Sequence, residues 1–210
     1  MNSSDLLLYA VTDRAWLRGR SLVSVAEEAL AGGVTFLQLR EKHLDHEAFL
    51  AEARALKPLC AAWHVPFVIN DDVEIARACD ADGVHIGQCD MELVRARQLL
   101  GPGKIIGVSA QTVEQARIAE RNGADYLGVG AMFPTATKCD AADVSMETLR
   151  AITAAVRIPV VVIGGINEER LPLFAGSGAC GAAIVSAIFA AEEIRGASAR
   201  LLELCRRTFR

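Results

Sequence analysis

Val34-Thr35-Phe36-Leu37-Gln38-Leu39-Arg40-Glu41-Lys42 begins as an apolar strand and ends with a polar group at every second position. Side chains on a strand alternate between faces, so Gln38, Arg40 and Lys42 share one side and Leu37 and Leu39 the other. One amide and two cations therefore leave the end of a buried strand together. That set suits an anionic ligand, because Arg and Lys hold phosphate oxygens while Gln offers both a donor and an acceptor. The blander reading is a strand that runs out into a solvated charged loop. What favours the ligand is that other strand ends along the chain do the same.

Upstream, Leu6 to Val11 reads as a first strand ending at Thr12-Asp13. Leu22, Val25, Ala26, Ala29 and Leu30 follow at helical spacing, and Gly32-Gly33 stops that helix before the second strand. Downstream, Asp45 to Leu56 predicts a helix that ends near Pro58. Val65 to Ile69 is a third strand ending at Asn70-Asp71-Asp72, with a short helix from Val73 to Cys79. Val84-His85-Ile86 is the fourth, with a helix from Met91 to Leu100. Lys104 to Val108 is the fifth, ending at Ser109, and Thr112-x-x-Gln115 resembles a capping box. Tyr126 to Val129, Val160 to Ile163 and Ala182 to Val185 are the last three strands. A loop through Thr135-Ala136-Thr137-Lys138 and a helix from Met146 separate the first two of these, and a terminal helix closes the chain.

Strands alternating with helices, eight times over, predict an α/β fold: a single-domain (β/α)8 TIM barrel over residues 1–210. Such barrels are typically about 250 residues, with a minimum near 200. An open doubly wound sheet would want fewer strands and a glycine-rich turn after strand one, where this chain has Thr12-Asp13-Arg14. The composition agrees. Hydrophobic residues make up 52% of the 210 residues and the mean hydropathy is +0.27. Parallel strands covered by helices on both faces read as nearly continuous apolar runs.

The formal charge of −4 and pI near 5.6 argue against a nucleic-acid or anionic-membrane partner. No basic segment followed by an apolar one opens the sequence, and no uncharged apolar run reaches the roughly 18 residues of a membrane helix. The six cysteines form no C-x-x-C pair and read as reduced, buried residues of a cytoplasmic protein. The sequence leaves a homo-oligomer open.

In such a barrel the active site lies at the C-terminal ends of the strands, so Gln38, Arg40, Lys42, Asn70, Asp71, Asp90, Ser109, Gly165, Val185 and Ser186 converge with the loop from Thr135 to Lys138. Asp71 and Asp90 come from neighbouring strands. Two carboxylates beside several cations suit a hard divalent ion, since Mg2+ takes one or two carboxylates and fills its shell with water and phosphate oxygens. The competing role for Asp90 is a helix N-cap; Asp72 reads as a cap. Gly164-Gly165 at strand seven and Ser186 after strand eight stand where this fold often binds phosphate. Phosphorylated small molecules are the expected partners. No Ser–His–Asp set is evident. His43, His46 and His64 read as peripheral, and His85 as a satisfied interior histidine.

The motifs Tyr9-Ala10-Val11-Thr12-Asp13, Gln38 to Lys42, Ile69-Asn70-Asp71, Asp82 to Asp90 and Ile106-Gly107-Val108-Ser109 recur in one known family. So do Asp125 to Gly130, Pro134 to Lys138 and Ile163-Gly164-Gly165-Ile166. In order and spacing, the chain resembles thiamine-phosphate synthase over essentially its whole length. The resemblance implies coupling of 4-amino-2-methyl-5-pyrimidinylmethyl diphosphate to a thiazole phosphate, releasing diphosphate through a dissociative, Mg2+-assisted step. It implies that Gln38, Leu39, Arg40, Glu41, Lys42, Asn70, Ser109 and Lys138 surround the pyrimidine diphosphate, with Arg40, Lys42 and Lys138 stabilising the leaving group. It implies that Asp71 and Asp90 hold Mg2+, and that Thr135, Ala136, Thr137, Gly165, Val185 and Ser186 receive the thiazole phosphate.

Two positions depart from the family pattern: Cys139 where a second Lys is frequent, and Ser145 where a glycine is expected. Three rivals remain. A thiazole tautomerase on the same barrel is expected to carry a His soon after the serine of strand five, where this chain has Ala110-Gln111-Thr112. A non-catalytic thiamine-precursor binding protein would not need both metal carboxylates and leaving-group cations. A sugar-phosphate isomerase would lack the Arg40/Lys42/Lys138 cluster.

Overall fold

The computed structural model describes residues 1–134 and 144–209. Eight parallel strands pair in chain order and close into a barrel: β1 (Leu8–Val11), β2 (Phe36–Leu39), β3 (Phe67–Asn70), β4 (Gly83–Ile86), β5 (Ile105–Ala110), β6 (Tyr126–Val129), β7 (Val160–Ile163) and β8 (Gly181–Ile184). β8 returns to β1 with Tyr9 opposite Ala183. The helices outside are α1 (Leu22–Ala31), α2 (His46–Ala62), α3 (Val73–Ala78), α4 (Leu93–Leu100), α5 (Val113–Arg121), α6 (Met146–Ala155), α7 (Ser186–Phe189) and α8 (Ile194–Thr208). Between β7 and β8 the described chain makes only a 3₁₀ turn, Leu171–Phe174.

Two cores follow from the two-residue period of the strands. Leu8, Ala10, Leu37, Leu39, Ile69, Val84 and Ile106 face outward and bury under the helices. Tyr9, Val11, Phe36, Val68, Tyr126, Val161 and Ala183 face the axis. Along each strand the inward series ends at the rim: Phe36 leads to Gln38, Val68 to Asn70, Gly107 to Ser109, and Ala183 to Val185. The same alternation that builds the core thus delivers the polar residues to the mouth.

The expected elements are present, with three differences. Leu6 is not in β1 but ends a 3₁₀ turn, Ser3–Leu6, because its side chain plugs the barrel floor beneath Tyr9 and Phe36. Pro58 does not end α2, which runs on to Ala62. A proline removes one N–H from the ladder, and burial of Leu56 and Cys60 on either side of it keeps the helix against the sheet. Lys57 pins the same turn by donating to Asp82 Oδ1 at 2.6 Å. Finally, the terminal helix is two, α7 and α8.

Caps follow the sequence closely. Asp72 accepts from Ile75 N at 2.8 Å, and Thr112 accepts from Gln115 N at 3.2 Å. The Gln115 side chain reaches Gln111 N rather than Thr112 N, so only half of the expected box forms. Ser145, where the resemblance leads one to expect glycine, N-caps α6 by accepting from Thr148 N at 3.0 Å. Ser145→Ala is expected to lower stability by about 1 kcal/mol and Ser145→Gly by only a few tenths, as thermal denaturation would show.

The described cysteines are all free, and Cys60, Cys79 and Cys205 are buried. Burial pushes the Cys60 and Cys205 thiols up to about 12, which leaves them unreactive. Cys139 lies outside the described residues. No helix among the described residues is long and apolar enough to cross a membrane.

Candidate active site at the barrel mouth

Arg40 and Lys42 follow the end of β2, Asn70 ends β3 with Asp71 just after it, and Asp90 sits in the loop after β4. Lys42, Asn70, Asp71 and Asp90 meet at one side of the mouth, while the Arg40 guanidinium lies 3.8 Å from Asp13 Oδ2. Asp71 is at the centre: its Oδ2 accepts from Lys42 Nζ at 2.6 Å and from Asn70 Nδ2 at 2.6 Å. Its backbone has φ +64°, the left-handed region that Asp and Asn tolerate better than most residues. Its own N–H donates to His85 O at 2.8 Å, so β4 helps to hold this turn. Backbone strain of this kind persists only where the surroundings enforce it, and it concentrates at functional sites.

Asp90 does not cap α4. Its Oδ2 accepts from Gly87 N at 2.7 Å, and the N-cap position falls to Glu92 without a side-chain bond. The Asp90 carboxyl is pushed above the usual carboxylate range, by partial desolvation and then by the Asp71 carboxylate beside it. The residue as a whole is exposed, and the Asp71 carboxylate is the like charge that faces it. Two adjoining carboxylates are a ready place for a cation. Among the described residues no group of three or more His, Cys, Asp or Glu could hold a metal. The pair fits an ion that takes two carboxylates and completes its shell with water and substrate oxygens, as Mg2+ does, and does not fit a site closed by protein ligands alone.

Below the rim, a chain of hydrogen bonds crosses the barrel interior. Gln38 Nε2 donates to the Tyr9 hydroxyl. Tyr9 OH pairs with Tyr126 OH at 2.8 Å, Tyr126 OH with His85 Nδ1 at 3.0 Å, and His85 Nε2 with Ser109 Oγ at 3.0 Å. Gln88 Nε2 then donates to Ser109 O at 2.6 Å. Burial raises both phenols further above their ordinary range, so Tyr9 and Tyr126 enter the chain as neutral hydroxyls. It fixes the amide of Gln38 on β2 and the hydroxyl of Ser109 on β5 through one continuous network. Sequence reasoning took His85 as a satisfied interior histidine, which it is, but missed that it orients Ser109. Tyr126→Phe would leave His85 Nδ1 without this partner in the interior. The expected cost is about 1–3 kcal/mol, read as a lower urea midpoint at unchanged slope.

Across the mouth, Gly165 turns the chain after β7 with φ +66°, and a Cβ there would come within 2.8 Å of Phe133 Cβ. Arg170 braces this turn, donating from Nη1 to Gly165 O at 2.7 Å while its guanidinium stacks 4.5 Å from the Phe133 ring centroid. Val185 and exposed Ser186 follow β8, where Val185 is the N-cap and Ser186 the first residue of α7. Thr135, Ala136, Thr137 and Lys138 lie outside the described residues. Leu39 and Glu41 of the β2 segment turn away from the axis, Leu39 into the outer core and Glu41 onto Arg14. His43, His46 and His64 are exposed and belong to no cluster with the site.

Known proteins resemble this chain along nearly its whole length. The family model described as thiamine monophosphate synthase matches residues 8–188. The thiamine-phosphate synthase of Clostridium acetobutylicum is 51% identical over 195 residues, covering 93% of this chain and 92% of that protein. That of Clostridium tetani is 47% identical over 197 residues, covering 94% of each. A solved structure of thiamine phosphate pyrophosphorylase from Pyrococcus furiosus superposes with a TM-score of 0.91 at 37% identity, covering 99% of both chains. A closed eight-stranded barrel, a polar mouth built from its strand ends, and this similarity along nearly the whole sequence together show that the chain belongs to the thiamine-phosphate synthase family.

Proposed function

We propose that this protein joins 4-amino-2-methyl-5-pyrimidinylmethyl diphosphate to a thiazole phosphate, giving thiamine phosphate and diphosphate. The observation that carries this reading is Asp71. One carboxylate grips Lys42 and Asn70 beside a second carboxylate, Asp90, at the mouth of a barrel whose interior carries the chain joining Gln38 to Ser109. A neutral heterocycle fits the depth, where Gln38 and Ser109 offer oriented donors and acceptors. A diphosphate fits the rim, where Arg40 and Lys42 stand; the family resemblance adds Lys138 to these cations.

In the reaction the C–O bond between the pyrimidinylmethyl carbon and diphosphate breaks, and diphosphate leaves with the electron pair. The thiazole nitrogen lone pair then forms the C–N bond, so no strong base is required. Arg40, Lys42 and Lys138 stabilise the departing negative charge more in the transition state than before it. Asp71 and Asp90 would hold Mg2+, which supplies further electrostatic stabilisation to the diphosphate when bound. The turn at Gly165 with Val185, Ser186 and the segment Thr135 to Thr137 receives the thiazole phosphate. Leu39 and Glu41, which the resemblance sets around the pyrimidine diphosphate, face away from the barrel axis, so their part in the site is through the backbone they share with Gln38, Arg40 and Lys42. The reduced cysteines and small phosphorylated substrates fit a cytoplasmic enzyme.

Purified protein incubated with both substrates and Mg2+ is expected to form thiamine phosphate and diphosphate in equal amounts, and to stop on addition of EDTA. Folded protein that forms neither product from intact substrates would overturn the reading.

A further inference from the structure

Outside the barrel wall, behind the cationic rim, three charged residues from three elements meet. Arg14 begins the turn that follows β1, Glu41 lies between Arg40 and Lys42, and Glu52 is on α2. Arg14 Nε donates to Glu41 Oε2 at 3.3 Å, and Arg14 Nη2 donates to Glu52 Oε1. The Glu41 side chain is only 3% exposed. Its Oε1 is 3.1 Å from Arg14 Nη2 but too oblique for a hydrogen bond, and it is one of two buried side-chain oxygens among the described residues with no hydrogen bond; the other is Glu52 Oε2. One guanidinium thus serves two carboxyls and satisfies neither fully. Burial, opposed by Arg14 and reinforced by Glu52, pushes the Glu41 carboxyl above its usual range.

A buried ion cluster is a poor device for stability, since apolar replacements of similar volume are often neutral or better. Its worth lies in the geometry it enforces, and the neighbouring contacts show which geometry. Thr12 N donates to Gln38 O at 3.0 Å, and Arg40 N donates to Thr12 Oγ1 at 2.9 Å. Asp13 lies 3.8 Å from Arg40 Nη1 and caps the turn that begins with Arg14, accepting from Ala15 N at 3.0 Å. Three consecutive residues, Thr12, Asp13 and Arg14, therefore hold the backbone of Arg40, its guanidinium, and the side chain of Glu41.

We propose that Arg14, Glu41 and Glu52 are positioning residues that anchor the end of β2 from outside the barrel, so that Arg40 and Lys42, on either side of Glu41, project over the mouth. This rests on the reading of the rim as the diphosphate site. The cluster touches no substrate; it acts through the two cations.

The test measures steady-state constants for both substrates, and binding of inorganic diphosphate with Mg2+ by calorimetry, in the wild type, Arg14→Ala and Glu41→Gln. The second variant keeps volume and polarity, so it remains informative if the first does not fold. KM for the pyrimidine diphosphate is expected to rise, and kcat to fall, by roughly ten- to a hundredfold. KM for the thiazole phosphate should stay within about twofold, and diphosphate binding should weaken in parallel with the first KM. Joining the two substitutions should cost no more than the worse single one, because the residues act as a unit. A rise in both KM values together, or a lower melting temperature with unchanged constants, would overturn the proposal. A wild type that binds diphosphate but does not couple would sink the synthase reading instead, and the loss of diphosphate affinity in Glu41→Gln would still decide the positioning role.

Discussion

Asp71→Asn is expected to lower kcat for coupling by about two to three orders of magnitude, the scale of losing one preorganised electrostatic group, with the fold intact. The substitution isolates charge from shape. Asn has nearly the same volume and tolerates the left-handed backbone at φ +64° that Ala would strain. What disappears is the anion that Lys42 and Asn70 converge on and that, with Asp90, makes the cation site. Half-saturating Mg2+ should rise in the same variant while KM for the thiazole phosphate stays near wild type. Circular dichroism unchanged alongside wild-type kcat would remove Asp71 from the chemistry.

The same variant makes a pH prediction whose sign is fixed by Asp90. A carboxyl whose folded pKa is raised contributes stability that is fully present below its unfolded value and lost as pH rises through the folded one. Asp90 is raised from an ordinary 3.8, first by desolvation and then by Asp71. In Asp71→Asn the like charge is gone, so the Asp90 carboxyl moves back toward its ordinary value. Denaturation curves collected from about pH 4 upward should then lose less stability with rising pH than those of the wild type. A parallel pair of curves would show that the two carboxylates do not interact.

How much of this was legible in the sequence depended on whether the determinant was local. β6 and β7 carry the bounds read from the sequence, Tyr126–Val129 and Val160–Ile163, because strands covered on both faces are apolar throughout. The rim residues were legible for a related reason: in a parallel barrel every strand ends on the same side, so a polar residue after an apolar run marks the mouth. Pro58 misled because propensity is a local quantity, whereas the anchoring of α2 by Leu56, Cys60 and Lys57 is tertiary. Glu41 shows the boundary between the two. Alternation alone set it on the other face from Arg40 and Lys42, but its partners Arg14 and Glu52 come from separate elements that no spacing relates. The interior chain was hidden for the same reason: Tyr9 and Tyr126 are 117 positions apart. The one signal for it was glycine in mid-strand, at Gly107 and Gly128, which a strand keeps where another group approaches closely.

Gly107→Ala turns that signal into the second large effect. A Cβ at Gly107 would stand 2.1 Å from Tyr126 Cζ and 2.4 Å from its hydroxyl oxygen. The ring has no free direction, since it packs edge-on against Tyr9 and Phe36 with centroids 5.9 and 5.7 Å away. It must shift, and its hydroxyl shifts with it, away from Tyr9 OH and His85 Nδ1. Overpacking of a dense core costs about 1–3 kcal/mol and occasionally more, so the melting temperature should fall by roughly 2–12 °C. Activity should fall beyond what unfolding explains, because a displaced Tyr126 no longer fixes His85 and hence Ser109, while the rim cations are untouched. The steric part is separable by a double-mutant cycle with Tyr126→Leu, which removes the atoms that the added methyl would strike. If the ring is the obstacle, the two substitutions are strongly non-additive and Gly107→Ala costs little in the Tyr126→Leu background. Additive effects would mean that the strand itself, not the ring packed against it, requires the glycine.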